Sequence, residues 1–167
     1  AVTAGDGQMQ TNLYVVTLAQ GDPVNVGSQS GVPQWVGWLS GTTLLAVYDS
    51  RAILYNAAGG ERARYEFGGG TLRDVSVDSV ALLLASGQVC QLVTLDKELN
   101  VQYSGNVTTS NKVVRRGELV YLLTDSTVES LTSAGEYQWS QSLTARPQAL
   151  LADAKQKLVF CGNKVQQ

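Results

Sequence analysis

Three segments of the chain repeat one layout at a spacing of about 40 residues, and this periodicity limits the fold more than any single motif does. Each runs as an apolar strand, a tight turn, a second strand, a Gly or polar turn, and a third strand that ends in an aromatic. The segments begin at Leu44, Leu82 and Leu119 and close on Tyr65, Tyr103 and Trp139, aromatics spaced by 38 and 36 residues. The pairs Asp49-Ser50, Ser86-Gly87, Asp125-Ser126 and Gly162-Asn163 recur at matching places. All are residues that close two-residue hairpins, through positive φ or through side-chain bonds to the backbone.

The ends of the chain carry partial copies. Pro33-Gln34 stands eleven residues before Leu44 and Pro147-Gln148 eleven before Leu158, so the first and last units align without a gap. The last unit stops after two strands and the start of a third. The stretch from Leu13 reads as the latter half of a unit, with residues 18–22 resembling residues 131–136, so the two partial units sum to one. A lone four-stranded sheet cannot bury both faces, and radial stacking of such sheets gives a β-propeller. The expectation is an all-β chain forming one propeller domain over residues 1–167, with about four antiparallel four-stranded blades. One blade would be closed by strands from both termini; alternatively the blades pair with a second chain or belong to a longer propeller. A β-sandwich is the rival, but it gives no reason for aromatics at a fixed phase. No long stretch holds apolar residues at i, i+3, i+4 and i+7; the densest candidate, residues 145–157, contains Pro147 and aligns with residues 34–43.

Residues 119–139 resemble the repeat of the quinoprotein alcohol-dehydrogenase-like propellers. That repeat pairs a Gly, here Gly135, with a Trp four residues on, here Trp139, which packs between neighbouring blades. Leu99 and Tyr103 take those places in the second unit, and the first has an extra-long turn, Ala57-Ala58-Gly59-Gly60, before Tyr65. Catalytic members of the family hold pyrroloquinoline quinone with an adjacent Cys pair, a stacking Trp and a calcium ion. Here Cys90 and Cys161 lie 71 residues apart. The resemblance therefore implies a non-catalytic member without a cofactor, similar to the bacterial envelope lipoproteins that act as assembly scaffolds. The alternatives are a degenerate quinoprotein dehydrogenase fragment and a propeller that binds carbohydrate or another small ligand.

Composition narrows the chemistry. The chain has no His, which removes the commonest metal ligand and general base together. Neither Gly-x-Ser-x-Gly nor Ser-x-x-Lys occurs, and Gly68-Gly69-Gly70-Thr71 lacks the ending of a phosphate loop. With 16% charged residues and a net charge of -2, no basic surface for nucleic acid is expected. The longest apolar run, residues 80–85, is far short of the ~20 residues that span a bilayer. The first residues have neither the basic start nor the apolar core of a signal peptide. Few Lys and many Gln, Asn, Ser and Thr lean toward an extracytoplasmic β protein.

The remaining features have bland readings. Asp22, Asp49, Asp74, Asp78, Asp96, Asp125 and Asp153 read as turn formers, and the alternation of Asp74-Val75-Ser76-Val77-Asp78 fits a strand better than a calcium loop. No metal site is expected. Arg51, Arg62 and Arg64, and the pair Arg115-Arg116, read as charge on outer edges that blocks edge-to-edge pairing. Cys90 and Cys161 read as buried thiols. Asn106-Val107-Thr108 matches a glycosylation acceptor and nothing further follows from it. Trp35 and Trp38 stand apart, because the aligned last unit has Ala149 and Ala152 there and so does not demand large rings. Three residues apart on a strand, they face opposite sides. One is expected in the interblade core and the other exposed for a partner, which would be another protein or a second copy of the chain.

Overall fold

The computed structural model describes residues 2–5, 8–16, 21–77, 79–152, 157–161 and 164–166. The described residues are strands, turns and bends, with no helix among them. The chain divides into two compact units, residues 1–68 and 69–167.

The first unit holds two sheets. Strands β1 (Val2–Gly5), β2 (Gln8–Val16) and β3 (Pro23–Ser30) form an antiparallel sheet in the order β1-β2-β3. Strands β4 (Trp35–Ser40), β5 (Thr43–Val47), β6 (Arg51–Asn56) and β7 (Glu61–Glu66) form a four-stranded meander. Val26, Leu44, Ala46, Tyr48, Ile53 and Tyr55 make the core between the two sheets, with Leu13 and Val15 against it.

The second unit holds three sheets. The first has β8 (Thr71–Ser76), β9 (Ala81–Ser86), β10 (Val89–Leu95) and β11 (Val101–Val107). The next has β12 (Lys112–Arg116), β13 (Leu119–Leu123), β14 (Thr127–Thr132) and β15 (Tyr137–Ser142). The last has β16 (Ala149–Ala152), β17 (Lys157–Cys161) and β18 (Lys164–Gln166). Cys90, Leu83, Leu92, Val120 and Leu122 belong to the apolar layer between the first two of these sheets, and Tyr121, Val128, Leu150 and Ala152 to the layer between the last two. Tyr103 packs into the former layer and Trp139 into the latter, where its ring meets Tyr121 at 6.1 Å. Cys90 is a free, buried thiol. The side chain of Cys161, the turn at Gly162-Asn163, most of residues 18–22, and Asp78 and Asp153 lie outside the described residues.

The repeat is most exact in the hairpins that join the third and fourth strands of each meander. At 56–60, 96–100 and 132–136 the first residue donates its N–H to the carbonyl of the fifth, and the fourth donates to the carbonyl of the first. The fourth residue is left-handed in all three: Gly59 at φ 111°, Leu99 at 62° and Gly135 at 84°. This is a type I turn closed by a bulge, which requires that conformation. Asn56, Asp96 and Thr132 open the turns and accept backbone N–H bonds on their side-chain oxygens. A register slip follows at Leu54/Tyr55, Thr94/Leu95 and Ser130/Leu131. The slip at Leu13/Tyr14 in the β2–β3 pair matches these, which identifies β2 and β3 as third and fourth strands.

Three expectations are corrected by this register. The turn at Ala57-Ala58-Gly59-Gly60 is no longer than its counterparts; the spacing differs because Tyr65 lies two residues further along its strand. Tyr103 opposes Thr94 and Trp139 opposes Ser130, whereas the place in β7 belongs to Ala63 opposite Leu54. Between β9 and β10 the two turn residues are Gly87-Gln88, since Ser86 pairs with Val89. The terminal segments form two three-stranded sheets of their own, six strands in place of the four of one shared blade.

Arg115 is the fourth correction. It is buried, and its guanidinium donates to the carbonyls of Gly117, Val80 and Leu95 and to the Gln102 side chain at 2.6–3.0 Å. It shares the face of buried Val113, two residues away, and ties the β12 sheet to the β8–β11 sheet. Arg62 and Arg64 do lie exposed on β7, the outer strand; Arg64 pairs with Glu61 and Glu66 at 2.6 and 3.1 Å.

Candidate surface for partner binding

The first strands of the meanders, β4, β8, β12 and β16, are edge strands of their sheets, and the candidate site lies on β4. Pro33 and Pro147 each stand two residues before such a strand. A proline there cannot extend the ladder, and the pairing begins after it. Gln34 and Asn111, just ahead of β4 and β12, each donate a side-chain bond back to the next turn, to Asp49 and Asp125. These carboxylates are turn fixtures, as the sequence suggested. The Val36↔Ala46 and Trp38↔Leu44 pairs of β4 and β5 correspond to Val113↔Leu122 and Arg115↔Val120 of β12 and β13, and Leu150 and Ala152 take the same places in β16.

In the second unit this face of the first strand is covered by the first strand of the preceding sheet. Asp74 accepts the Val113 N–H on its carboxylate at 2.9 Å, and Ser76 accepts the Arg115 N–H on its hydroxyl at 2.8 Å. The alternation in residues 74–76 is therefore that of a strand whose polar side reaches the next sheet. On β4 the arrangement differs. The sheet before it supplies β1, β2 and β3, and since β2 and β3 are third and fourth strands, β1 is a second strand and no first strand is among them. Val36 and Trp38 are 43% and 50% exposed, whereas Val113, Arg115, Leu150 and Ala152 are 2%, 4%, 6% and 6% exposed.

Trp35 lies on the opposite face of β4, half buried, with its ring over Gly37. The two tryptophans are thus not brought together. Of the aromatics, Tyr103 and Trp139 are interblade packing groups and Tyr65 sits near Phe67, ring centroids 6.2 Å apart. What the sequence did not single out is Val36, which completes the exposed stripe with Trp38; its spacing of two from Trp38 was the available signal.

A shallow groove of about 310 Å³ opens beside Tyr103, lined among others by Asn106, Thr108, Glu129 and Tyr137. Among the described residues no group of three or more His, Cys, Asp or Glu side chains is placed to hold a metal ion. Among the described residues no helix is long and apolar enough to cross a membrane.

No family model matches the chain, and no curated protein does. Solved structures do. A protein of unknown function from Bacteroides caccae is similar over 97% of this chain and 65% of its own, with 15% identity and a TM-score of 0.56. BamB from Moraxella catarrhalis is similar over 98% and 56%, with 14% identity and a TM-score of 0.57. BBS1N, solved in complex with ARL6DN, is similar over 95% and 57%, with 14% identity and a TM-score of 0.59. At these identities the likeness shows the fold, and that fold is the β-propeller. The chain spans between about half and two thirds of the length of the structures it matches.

Proposed function

We propose that the chain is a non-catalytic β-propeller module, one domain over residues 1–167, that binds a protein partner on the Val36–Trp38 face of β4. The observation that carries this reading is the exposure of an apolar pair at positions that are covered in the later sheets. Exposed Trp set beside an aliphatic neighbour is a favoured anchor for protein contacts. BBS1N, solved with ARL6DN, is a similar fold in complex with a protein, which accords with the reading. The absence of His and of an adjacent Cys pair from the sequence weighs against the quinoprotein dehydrogenase alternative. The repeat itself belongs best with the quinoprotein-like class, and the composition suits a place at the bacterial cell envelope outside the cytoplasm.

The test is a photo-cross-linking residue in place of Trp38, followed by binding of the purified cross-linked protein to the unmodified chain. A defined partner, or a second copy of the chain, whose affinity falls at least tenfold in Trp38→Asp supports the reading. A partner whose affinity is unchanged in Trp38→Asp refutes the site. A chain that is monomeric in sedimentation and cross-links to nothing refutes the reading. A quinone spectrum retained after adding pyrroloquinoline quinone and calcium would establish the enzyme alternative.

A further inference from the structure

We infer that the groove between β11 and the β14–β15 hairpin is a further protein-contact site, and that it takes the guanidinium of an arginine carried by the partner. The site lies in the second unit and does not depend on the β4 reading. It begins with a residue that breaks the repeat. The hairpins that open at Asn56, Asp96 and Thr132 share one geometry, and the residues three places before them are Ile53, Val93 and Glu129. Ile53 and Val93 are 0% exposed, and Ile53 belongs to the core of the first unit. Glu129 opposes Leu122, part of the apolar layer shared with the β8–β11 sheet, so a carboxylate stands on a face that is otherwise core. Taking a charge out of water is costly unless it is paired. The Glu129 carboxylate is half buried, and it closes neither a hydrogen bond nor an ion pair with a described residue.

The surroundings define what would pair with it. Tyr103, Leu131 and Tyr137 line the groove with Glu129, and none of its lining residues is basic. A carboxylate beside phenol rings favours a cation, which pairs with the one and is attracted to the face of the other. Tyr137, 62% exposed, offers such a ring at the mouth. A guanidinium fits better than an ammonium: its flat fork bonds a carboxylate through two parallel N–H groups while lying against a ring, and it is the more weakly hydrated of the two. The Tyr103 hydroxyl is a further acceptor for it, since it too closes no bond with a described residue. The groove is shallow, which suits a side chain presented on a protein surface; sites for free small molecules enclose most of their ligand.

The probe is the blocked peptide acetyl-Gly-Arg-Gly-amide, titrated into the full chain beside its lysine and citrulline counterparts while the amide resonances of Glu129, Gly135 and Tyr137 are followed. The expected result is a saturable shift of all three at millimolar peptide, binding about fivefold weaker for the lysine peptide, and no saturable shift for the neutral citrulline peptide. Glu129→Gln should abolish saturation. Glu129→Ile, which restores the residue type of Ile53, should abolish it too while leaving the thermal midpoint unchanged or higher. The absence of a saturable shift with the arginine peptide overturns the inference, as does an equal response to the citrulline peptide or unaltered binding in either variant. A lysine peptide that binds as well as the arginine one overturns the choice of guanidinium, and saturable shifts from glucose or N-acetylglucosamine alone would make the groove a sugar site instead. All of these results leave the β4 reading standing, because cross-linking at position 38 tests it separately.

Discussion

The phenol ring of Tyr103 lies against Gly135 of the next sheet, in the space that a β-carbon on Gly135 would occupy. Gly135 is needed twice over, since its φ of 84° is one that side chains rarely adopt. Gly135→Ala should therefore cost about 3 kcal/mol, from overpacking and left-handed strain combined. Chemical denaturation checks this, and the double variant with Tyr103→Ala separates the two causes. The ring clash vanishes in that background and the strain remains, so the pair should be non-additive. Simple additivity would show that the ring and the glycine do not compete for one space.

Leu99 takes the same backbone place with φ 62° and is buried. Two effects oppose each other in Leu99→Gly. Relief of the left-handed strain returns about 1 kcal/mol, whereas removing a buried Leu side chain costs about 3 kcal/mol or more. Burial wins, and the variant should be less stable by about 2 kcal/mol or more in a urea titration. A variant more stable than the parent would mean that the backbone strain outweighs the packing.

Arg115 is held by four acceptors and no carboxylate, and burial pulls its guanidinium below its ordinary pKa. Arg115→Met preserves the stem but leaves the carbonyls of Val80 and Leu95 without this donor. The expected loss is about 3 kcal/mol, with a lower thermal midpoint. A change below about 0.5 kcal/mol, the range of ordinary surface substitutions, would return Arg115 to the role of edge charge.

The strand layout and the two-residue turns were legible because hairpin turns demand particular residues and buried strands leave apolar runs. The phase of the repeat was less so. Aromatics are visible in a sequence, but the structural marker is the left-handed residue four places earlier. Read from Gly59, Leu99 and Gly135, the blade places fall on Ala63, Tyr103 and Trp139; a Leu in a left-handed turn gives no local signal that it is one. Arg115 was misread because a basic doublet suggests solvent, although its phase with Val113 put it on an apolar face. The Trp38 face was legible only as a departure from the repeat. Its exposure depends on which strand the preceding sheet lacks, and that is a property of pairing between distant segments.

Asp96 couples the second of these turns to pH. Its carboxyl is held below its ordinary value of 3.8, first by the Asn100 side chain and then by the backbone N–H groups of Asn100 and Glu98. A depressed native pKa adds stability that is present above the ordinary value and is lost as pH falls through the native one. Asp96→Asn should flatten the fall in stability below pH about 4. Urea midpoints measured across that range check it; parallel curves for the two proteins would remove Asp96 from the acid response.

Tyr55 makes the opposite response at high pH. Its ring lies over Gly27 of β3, and its hydroxyl and that of Tyr48 are buried near one another, neither closing a hydrogen bond. Burial first, and then the neighbouring Tyr48 phenol, raises the Tyr55 pKa above its ordinary 10.0, and burial raises that of Tyr48. For an acid kept neutral by burial, stability is present below the ordinary pKa and is lost as pH rises beyond it, because the unfolded phenol ionises first. Tyr55→Phe removes an unsatisfied polar group without opening a cavity. At neutral pH it should leave stability unchanged or raise it by about 1 kcal/mol, and its advantage should grow above pH about 10. Denaturant midpoints at both pH values decide the matter. A loss at neutral pH would show that the hydroxyl is bonded in solution, and an equal alkaline slope would show that Tyr55 ionises as readily in the folded protein as in the unfolded chain.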